Sequence, residues 1–242
     1  MPQLRLDRMI AAQGTAERSR VRELVRKGLV TVDGKTVSDP GMKIDPLKAA
    51  VTVAGRRIVY KEHVYIMMNK PQGVVCASSD RRERTVIDLL PEELRRPGLF
   101  PAGRLDRDTE GMLVITDDGV LAHRMLAPGS HVWKRYLALL DVPPDAQDAE
   151  AFARGIKLPG LDCLPAKLAV DGGKAYVTIR EGKFHQIKRM FEARGKTVLY
   201  LKRLSMGGLR LDGDLEPGQA RELLPEETAQ LLLSGGGEAE MP

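Results

Sequence analysis

In Gly103-Arg104-Leu105-Asp106-Arg107-Asp108-Thr109-Glu110-Gly111-Met112-Leu113-Val114-Ile115-Thr116-Asp117-Asp118-Gly119 a polar, glycine-flanked segment runs directly into five apolar or β-branched residues and out into Asp-Asp-Gly. The pattern predicts a buried strand over Met112–Thr116 with a loop in front of it, which presents its side chains at the rim of a sheet. Within that loop Asp106 is flanked by Arg104 and Arg107. Neighbouring positive charge favours the carboxylate, so Asp106 is ionised at neutral pH. An ionised carboxylate held in place is a candidate nucleophile.

Taken alone, the segment fits other chemistries. Asp106 and Asp108 resemble the paired aspartates of haloacid-dehalogenase-like phosphatases. Those enzymes need an apolar strand directly before the first aspartate, and Phe100-Pro101-Ala102-Gly103-Arg104-Leu105 does not read as one. Two nearby carboxylates also suggest glycoside hydrolysis. A sugar cleft with stacked aromatics is poorly supported by a chain whose only tryptophan is Trp133. A polar turn is the remaining reading.

Working outward, further motifs decide between these. Asn69-Lys70-Pro71-Gln72-Gly73 precedes the stretch. Lys134-Arg135-Tyr136, Glu181-Gly182-Lys183-Phe184-His185-Gln186-Ile187-Lys188-Arg189-Met190 and Leu201-Lys202-Arg203 follow it, the last leading to Gly207-Gly208. This ordered series closely resembles the motifs of pseudouridine synthases, and the resemblance covers nearly the whole chain. It implies that Asp106 is the nucleophile, that Tyr136 stacks on the uracil, that Lys188 pairs with the carboxylate and that Leu201 floors the base pocket. It also places Arg104 in the RNA stack where the extruded base leaves a space. Arg107 and Arg189 are weaker candidates for RNA contacts. The isomerisation needs no redox partner or group donor, so no cofactor is expected. The sequence leaves open whether the carboxylate attacks C1′, adds to C6 or removes the C2′ proton.

The first quarter of the chain carries the excess charge. Residues 1–62 hold 13 Lys/Arg against seven Asp/Glu, while the whole chain is only +5. That asymmetry suggests a nucleic-acid-binding module on a neutral body. Two short helices are expected, the second ending near Lys27 with Gly28 behind it and with Thr15 as a possible N-cap. A hairpin over Leu29–Val37 follows, turning at Asp33-Gly34. This arrangement resembles the S4 RNA-binding module, carried by Arg-Leu-Asp-Arg-Met-Ile at 5–10 and Glu-Leu-Val-Arg-Lys-Gly-Leu-Val-Thr-Val-Asp-Gly at 23–34. Arg18, Arg20, Arg22, Arg26 and Lys27 are its candidate RNA contacts. Residues 180–203 add eight Lys/Arg against two acids.

The expected fold class is α+β. A small S4 module of two helices plus a hairpin (1–59) precedes a pseudouridine synthase domain (60–233), whose mixed, largely antiparallel sheet is flanked by helices. Residues 54–63 read as a connector, Val64–Met68 as a strand, Asn69–Gly73 as a loop and Phe184–Arg194 as a helix. The tail 234–242 reads as disordered. His63, His123, His131 and His185 lack metal-ligand spacing, the two cysteines are far apart, and no apolar run approaches membrane-spanning length. His185 reads as a helix-start residue.

The expected protein is a cytoplasmic, metal-free, monomeric enzyme without a membrane segment. The Met125–Gly129 linker, the Pro143–Leu164 segment and Gly213–Gly218 look most like the RsuA branch, whose substrate is the small-subunit 16S rRNA of an assembling particle. A 23S enzyme and an inactive RNA-binding assembly factor are the alternatives.

Overall fold

The structure is a computed structural model that describes residues 3–127, 129 and 132–233. Pro128, His131 and the tail from Ser234 lie outside the described residues. The chain divides into two units: one runs to Val64 and takes in Glu92–Leu99, and the other holds Tyr65–Pro91 and the chain from Phe100.

In the first unit the Asp33-Gly34 turn has positive φ at both residues, 51° and 78°. That is the twist that joins tightly turned antiparallel strands. Ala54-Gly55 repeats it at 47° and 80°. The expected hairpin is thus half of a four-stranded antiparallel sheet, ordered Lys35–Thr36, Val30–Val32, Val51–Val53, Arg56–Ile58. The supposed connector supplies the last of these strands. Its Arg56-Arg57-Ile58 lacks a clear apolar alternation, which hid it from the sequence reading.

Helices Leu6–Ala12 and Arg18–Arg26 pack on this sheet through Leu6, Met9, Ile10, Val21 and Val25. The second helix starts after Glu17, which makes no side-chain cap, so Thr15 is not its N-cap.

The second unit is a nine-stranded sheet. Its main path runs Lys167–Asp171, Lys174–Ile179, Lys134–Leu140, Val198–Met206, Glu110–Thr116, Tyr65–Lys70, Ala220–Glu222. All pairings are antiparallel except that of Glu110–Thr116 with Val198–Met206. The mixed, largely antiparallel sheet flanked by helices is therefore as expected.

The parallel seam is short, with two registered pairs, Lys202 with Glu110 and Arg203 with Gly111. Gly111 has φ 101°, and a Cβ there would lie 2.2 Å from the carbonyl oxygen of Arg203. Only glycine allows the two halves of the sheet to meet this closely.

Several strands differ from expectation, among them three that shape the site. Tyr65–Lys70 continues two residues further, taking Asn69 and Lys70 out of the loop. Phe100–Ala102 is a three-residue strand paired with Val114–Thr116, although Gly103 ends it before Asp106. Val198–Met206, unassigned in the sequence, is the longest strand of the sheet.

Helix Gly119–Leu126 is capped by Asp118, whose side chain accepts from the amides of Val120 and Leu121. This explains the Asp-Asp-Gly that closes the preceding strand. Helix Gln186–Glu192 starts two residues later than expected, behind a left-handed His185.

Candidate active site

The loop Gly103–Thr109 enters the sheet at the parallel seam, held from two sides. Leu105 is buried in the core, and its amide donates to Cys76 Sγ at 3.3 Å. From the adjoining strand, Lys70 is fully buried. Its ammonium donates to the carbonyl oxygens of Pro71 (2.9 Å), Asp106 (3.1 Å), Arg107 (3.3 Å) and Thr109 (3.0 Å). Gly73 N–H also donates to Arg107 O at 2.8 Å. With Leu105 turned into the core, the next side chain, Asp106, is turned to the rim and is 29% exposed.

Three sequence-predicted residues meet Asp106 there. Lys188, from helix Gln186–Glu192, places Nζ 3.3 Å from Oδ2 of Asp106. Tyr136 and Leu201 lie on neighbouring strands and are both 6% exposed. Together with Arg104 they line a cavity of about 70 Å3 beside Asp106.

Two further groups reach the same carboxylate region. His185 Nε2 lies 3.7 Å from Oδ1 of Asp106. Its left-handed backbone, φ 50°, is uncommon for a side chain this size and turns the ring toward the loop. Asp108 competes for Lys188, with Oδ1 2.6 Å from Nζ. The Lys188 hydrogen bond holds Asp108 below the usual carboxylate range. Asp108 thus shares the Lys188 ammonium with Asp106.

Residues 64–193 match the RNA pseudouridylate synthase family, and residues 4–46 match the S4 domain. The chain belongs to the RNA pseudouridylate synthase family. It is 40% identical to the ribosomal small subunit pseudouridine synthase A of Escherichia coli, over 95% of this chain and 100% of that protein. It is 46% identical to an uncharacterised RNA pseudouridine synthase of Bacillus subtilis, over 93% of this chain and 96% of that one. A crystal structure of a pseudouridylate synthase, 36% identical, superimposes with a TM-score of 0.66 over 94% of this chain and 99% of its own. The protein is therefore an enzyme, an RNA pseudouridine synthase with an N-terminal S4 domain.

The remaining candidates of the synthase divide between the two units. In the S4 unit, Arg18 and Arg22 both turn onto Asp7, at 3.2 and 3.4 Å, as does Arg5 at 3.2 Å. The Asp7 side chain is fully buried, while each arginine stays about half exposed. Burial pushes the Asp7 carboxyl up, but the hydrogen bonds from Arg5 and Arg18 outweigh it and bring it down to about 2. A buried anion thus fixes three guanidinium groups along one surface. Arg20 and Lys27 pair with Glu23, and Arg26 is exposed.

In the catalytic unit Arg107 pairs with Glu83 at 3.2 Å. Arg189 donates to Pro159 O at 2.8 Å, which ties it to the Lys157–Asp162 hairpin instead of the cleft.

The sequence reading gave no role to Lys70, Lys134 or Arg203, although all three stand in the quoted motifs. It also set His185 aside. Their signal was motif membership without a local chemical reason, because Lys70, Arg203 and His185 contact groups far away in the chain. Among the described residues, no group of three or more His, Cys, Asp or Glu could hold a metal ion. Nor, among the described residues, is any helix long and apolar enough to cross a membrane.

Proposed function

We propose that this synthase converts one uridine of 16S rRNA, in an assembling small subunit, to pseudouridine. It acts as a cytoplasmic monomer, with Asp106 as the nucleophile. The observation that carries the reading is the convergence of Lys188, Tyr136 and Leu201 on Asp106 from three separate elements.

The reaction breaks N1–C1′, rotates the base and forms C5–C1′; the C5 proton is lost and N1 gains one. Asp106 starts it as an ionised carboxylate, oriented by Lys188. Tyr136 and Leu201 hold the uracil between them, and the Tyr136 hydroxyl is positioned to assist removal of the C5 proton. Extruding the uridine costs a few kcal/mol. Arg104, exposed on the loop two residues before Asp106, offsets this by filling the vacated stack. The S4 unit, with Arg18, Arg20, Arg22, Arg26 and Lys27, tracks the RNA backbone. Arg107 and Arg189 make at most peripheral phosphate contacts. Full-length similarity to a small-subunit synthase supports the 16S assignment.

The test is chemical mapping of pseudouridine in rRNA from a deletion strain complemented with wild-type protein or Asp106→Asn. Wild type is expected to restore one modification in 16S rRNA, and Asp106→Asn to restore none while still binding RNA. Substantial turnover by Asp106→Asn would remove the nucleophile assignment. Modification in 23S rRNA would overturn the substrate.

A further inference from the structure

The small cavity at Asp106 opens beside a larger one of about 460 Å3, which shares Arg104, Asp106, Tyr136 and Lys183 with it. Asp106 and Tyr136 line both spaces, and at about 70 Å3 the small one alone holds no more than a few waters, so a nucleotide at Asp106 also occupies the larger one. The larger space is the size of a small-molecule site, and its walls are cationic. Arg104, Lys134, Arg180, Lys183 and Arg203 line it against Asp106 and Glu181. Both acids are already engaged. Asp106 lies against Lys188 and His185. Glu181 accepts from the Leu164 amide and Gln186 and pairs with Lys183.

Among the described residues three of the cations, Lys134, Arg180 and Arg203, make no ion pair with a carboxylate, although the Glu181 charge acts on Lys134 from further away. Lys134 is 7% exposed, and its ammonium is bonded to Val132 O. Arg203 is 1% exposed; its Nε donates to Met112 O, and its Nη2 is buried with no hydrogen-bond partner among the described residues. Arg180 Nε is likewise buried without a hydrogen-bond partner among the described residues, and its guanidinium lies over the Trp133 ring, 5.6 Å from the centroid. Register explains the grouping. Lys134 and Tyr136 lie on one face of their strand, Arg203 is the cross-strand neighbour of Tyr136, and Arg180 follows Ile179, the partner of Lys134. Burying unpaired like charges together is costly unless an anion joins them.

We propose that Lys134, Arg180 and Arg203 form a phosphate subsite beside the base pocket, which takes a backbone phosphate adjoining the target uridine. It rests on the reading of Asp106 and Tyr136 as the uridine site. Lys134 and Arg180 provide donors to the phosphate oxygens, and Arg203 adds buried positive charge behind them. The subsite anchors the extruded nucleotide by its phosphate while Tyr136 and Leu201 take the base. Recognition is therefore of a nucleotide, not of a free base or nucleoside.

The test is a ligand titration of the full-length enzyme at fixed ionic strength, followed by NMR, with uridine, 5′-UMP, 3′-UMP and inorganic phosphate. At least one UMP is expected to bind ten-fold or more tightly than uridine. That ratio is expected to fall below three-fold in both Lys134→Met and Arg180→Gln, with thermal melts confirming that each variant folds. Equal binding of uridine and both UMPs by wild type would overturn the proposal, as would an unchanged ratio in the folded variants. So would inorganic phosphate that binds as tightly as UMP, because the anion site would then be unconnected to the base pocket. Turnover on rRNA, measured in parallel, separates the two readings. Pseudouridine formed without a phosphate preference removes the subsite alone, and a preference without pseudouridine removes only the activity assigned to this site.

Discussion

The ammonium of Lys70 donates to the main-chain carbonyl of Asp106 at 3.1 Å, from a position with no solvent exposure. The candidate nucleophile is therefore held through its backbone by a buried cation that never touches its carboxylate. Burial pushes the Lys70 ammonium below its usual range, and nearby Cys76, Asp108, Asp106 and Glu110 act against that shift, while its donors are spread over four carbonyl oxygens. Lys70→Met removes those donors and leaves the loop carbonyls short of partners, at about 1–3 kcal/mol. The expected result is a lower midpoint in denaturant and a turnover at least ten-fold lower. Unchanged turnover would show that the loop positions Asp106 without it.

At the seam between the sheet halves, Gly111→Ala is expected to be more damaging than most core changes. Its Cβ would fall 2.2 Å from Arg203 O and 2.7 Å from Arg203 N, both backbone atoms that no rotamer change can move. Positive φ adds strain of about 1–2 kcal/mol. The variant should unfold at markedly lower denaturant or fail to accumulate as soluble protein. A melt within a degree of wild type would count against the close approach.

Lys188 divides itself between two carboxylates, and the division is testable. Asp108 sits nearer its ammonium than Asp106 does, 2.6 against 3.3 Å, yet it is 69% exposed and well screened. Asp108→Asn should leave Lys188 to Asp106 alone and change kcat by less than about five-fold, within the effect of a surface ion pair of 0–1 kcal/mol. Lys188→Met should lower kcat by a factor of 100 or more. A larger loss from Asp108→Asn than from Lys188→Met would reverse the roles assigned to the two residues.

What the sequence made legible was whatever repeats at short range. The buried run Met112–Thr116, the Asp33-Gly34 turn and the helix ending at Gly28 are local patterns, and all three are in the structure. Asp106, Lys188, Tyr136 and Leu201 were found through motif order, and the fold brings them into one cavity. Partnerships across the chain were not legible. Asp7 looked like one charge among many until Arg18 and Arg22 closed on it from the next helix. Lys70 looked like a loop lysine because nothing nearby in sequence shows that four carbonyls from residues 71–109 surround it. Val198–Met206 was missed because Tyr200, Lys202, Arg203 and Ser205 interrupt its apolar residues, and Arg203 lines the cleft while Lys202 and Ser205 line another cavity.

The Asp7 hub predicts acid sensitivity in the S4 unit. Its folded pKa of about 2 lies below the ordinary 3.8. A carboxylate depressed on folding stabilises the protein above the unfolded value, and this contribution is lost as pH falls from about 4 toward 2. The full shift corresponds to about 2 kcal/mol; screening at the half-exposed arginines reduces it to about 1 kcal/mol. Asp7→Asn should flatten the fall in stability across that window. It should also weaken RNA binding, because Arg5, Arg18 and Arg22 lose their common anchor. Such point changes isolate the basic surface better than removal of residues 1–58, since Glu92–Leu99 belongs to the same compact unit.

Lys134 predicts a destabilising contribution at the other end of the pH scale. Burial, with Arg203 nearby, lowers its ammonium from 10.5 to about 8. A lysine depressed on folding binds its proton less tightly in the folded chain than in the unfolded one. It therefore costs stability below pH 8, and the cost disappears as pH rises from about 8 to 10.5. The penalty is on the order of 1–3 kcal/mol. Lys134→Met should then be more stable than wild type at pH 7, by urea unfolding, with the gap narrowing by pH 10. The same variant should lose nucleotide affinity, as expected where a site keeps an unpaired charge for its ligand. A variant less stable than wild type at pH 7 would mean that the ammonium is already compensated within the fold, and the case for an incoming phosphate would go with it.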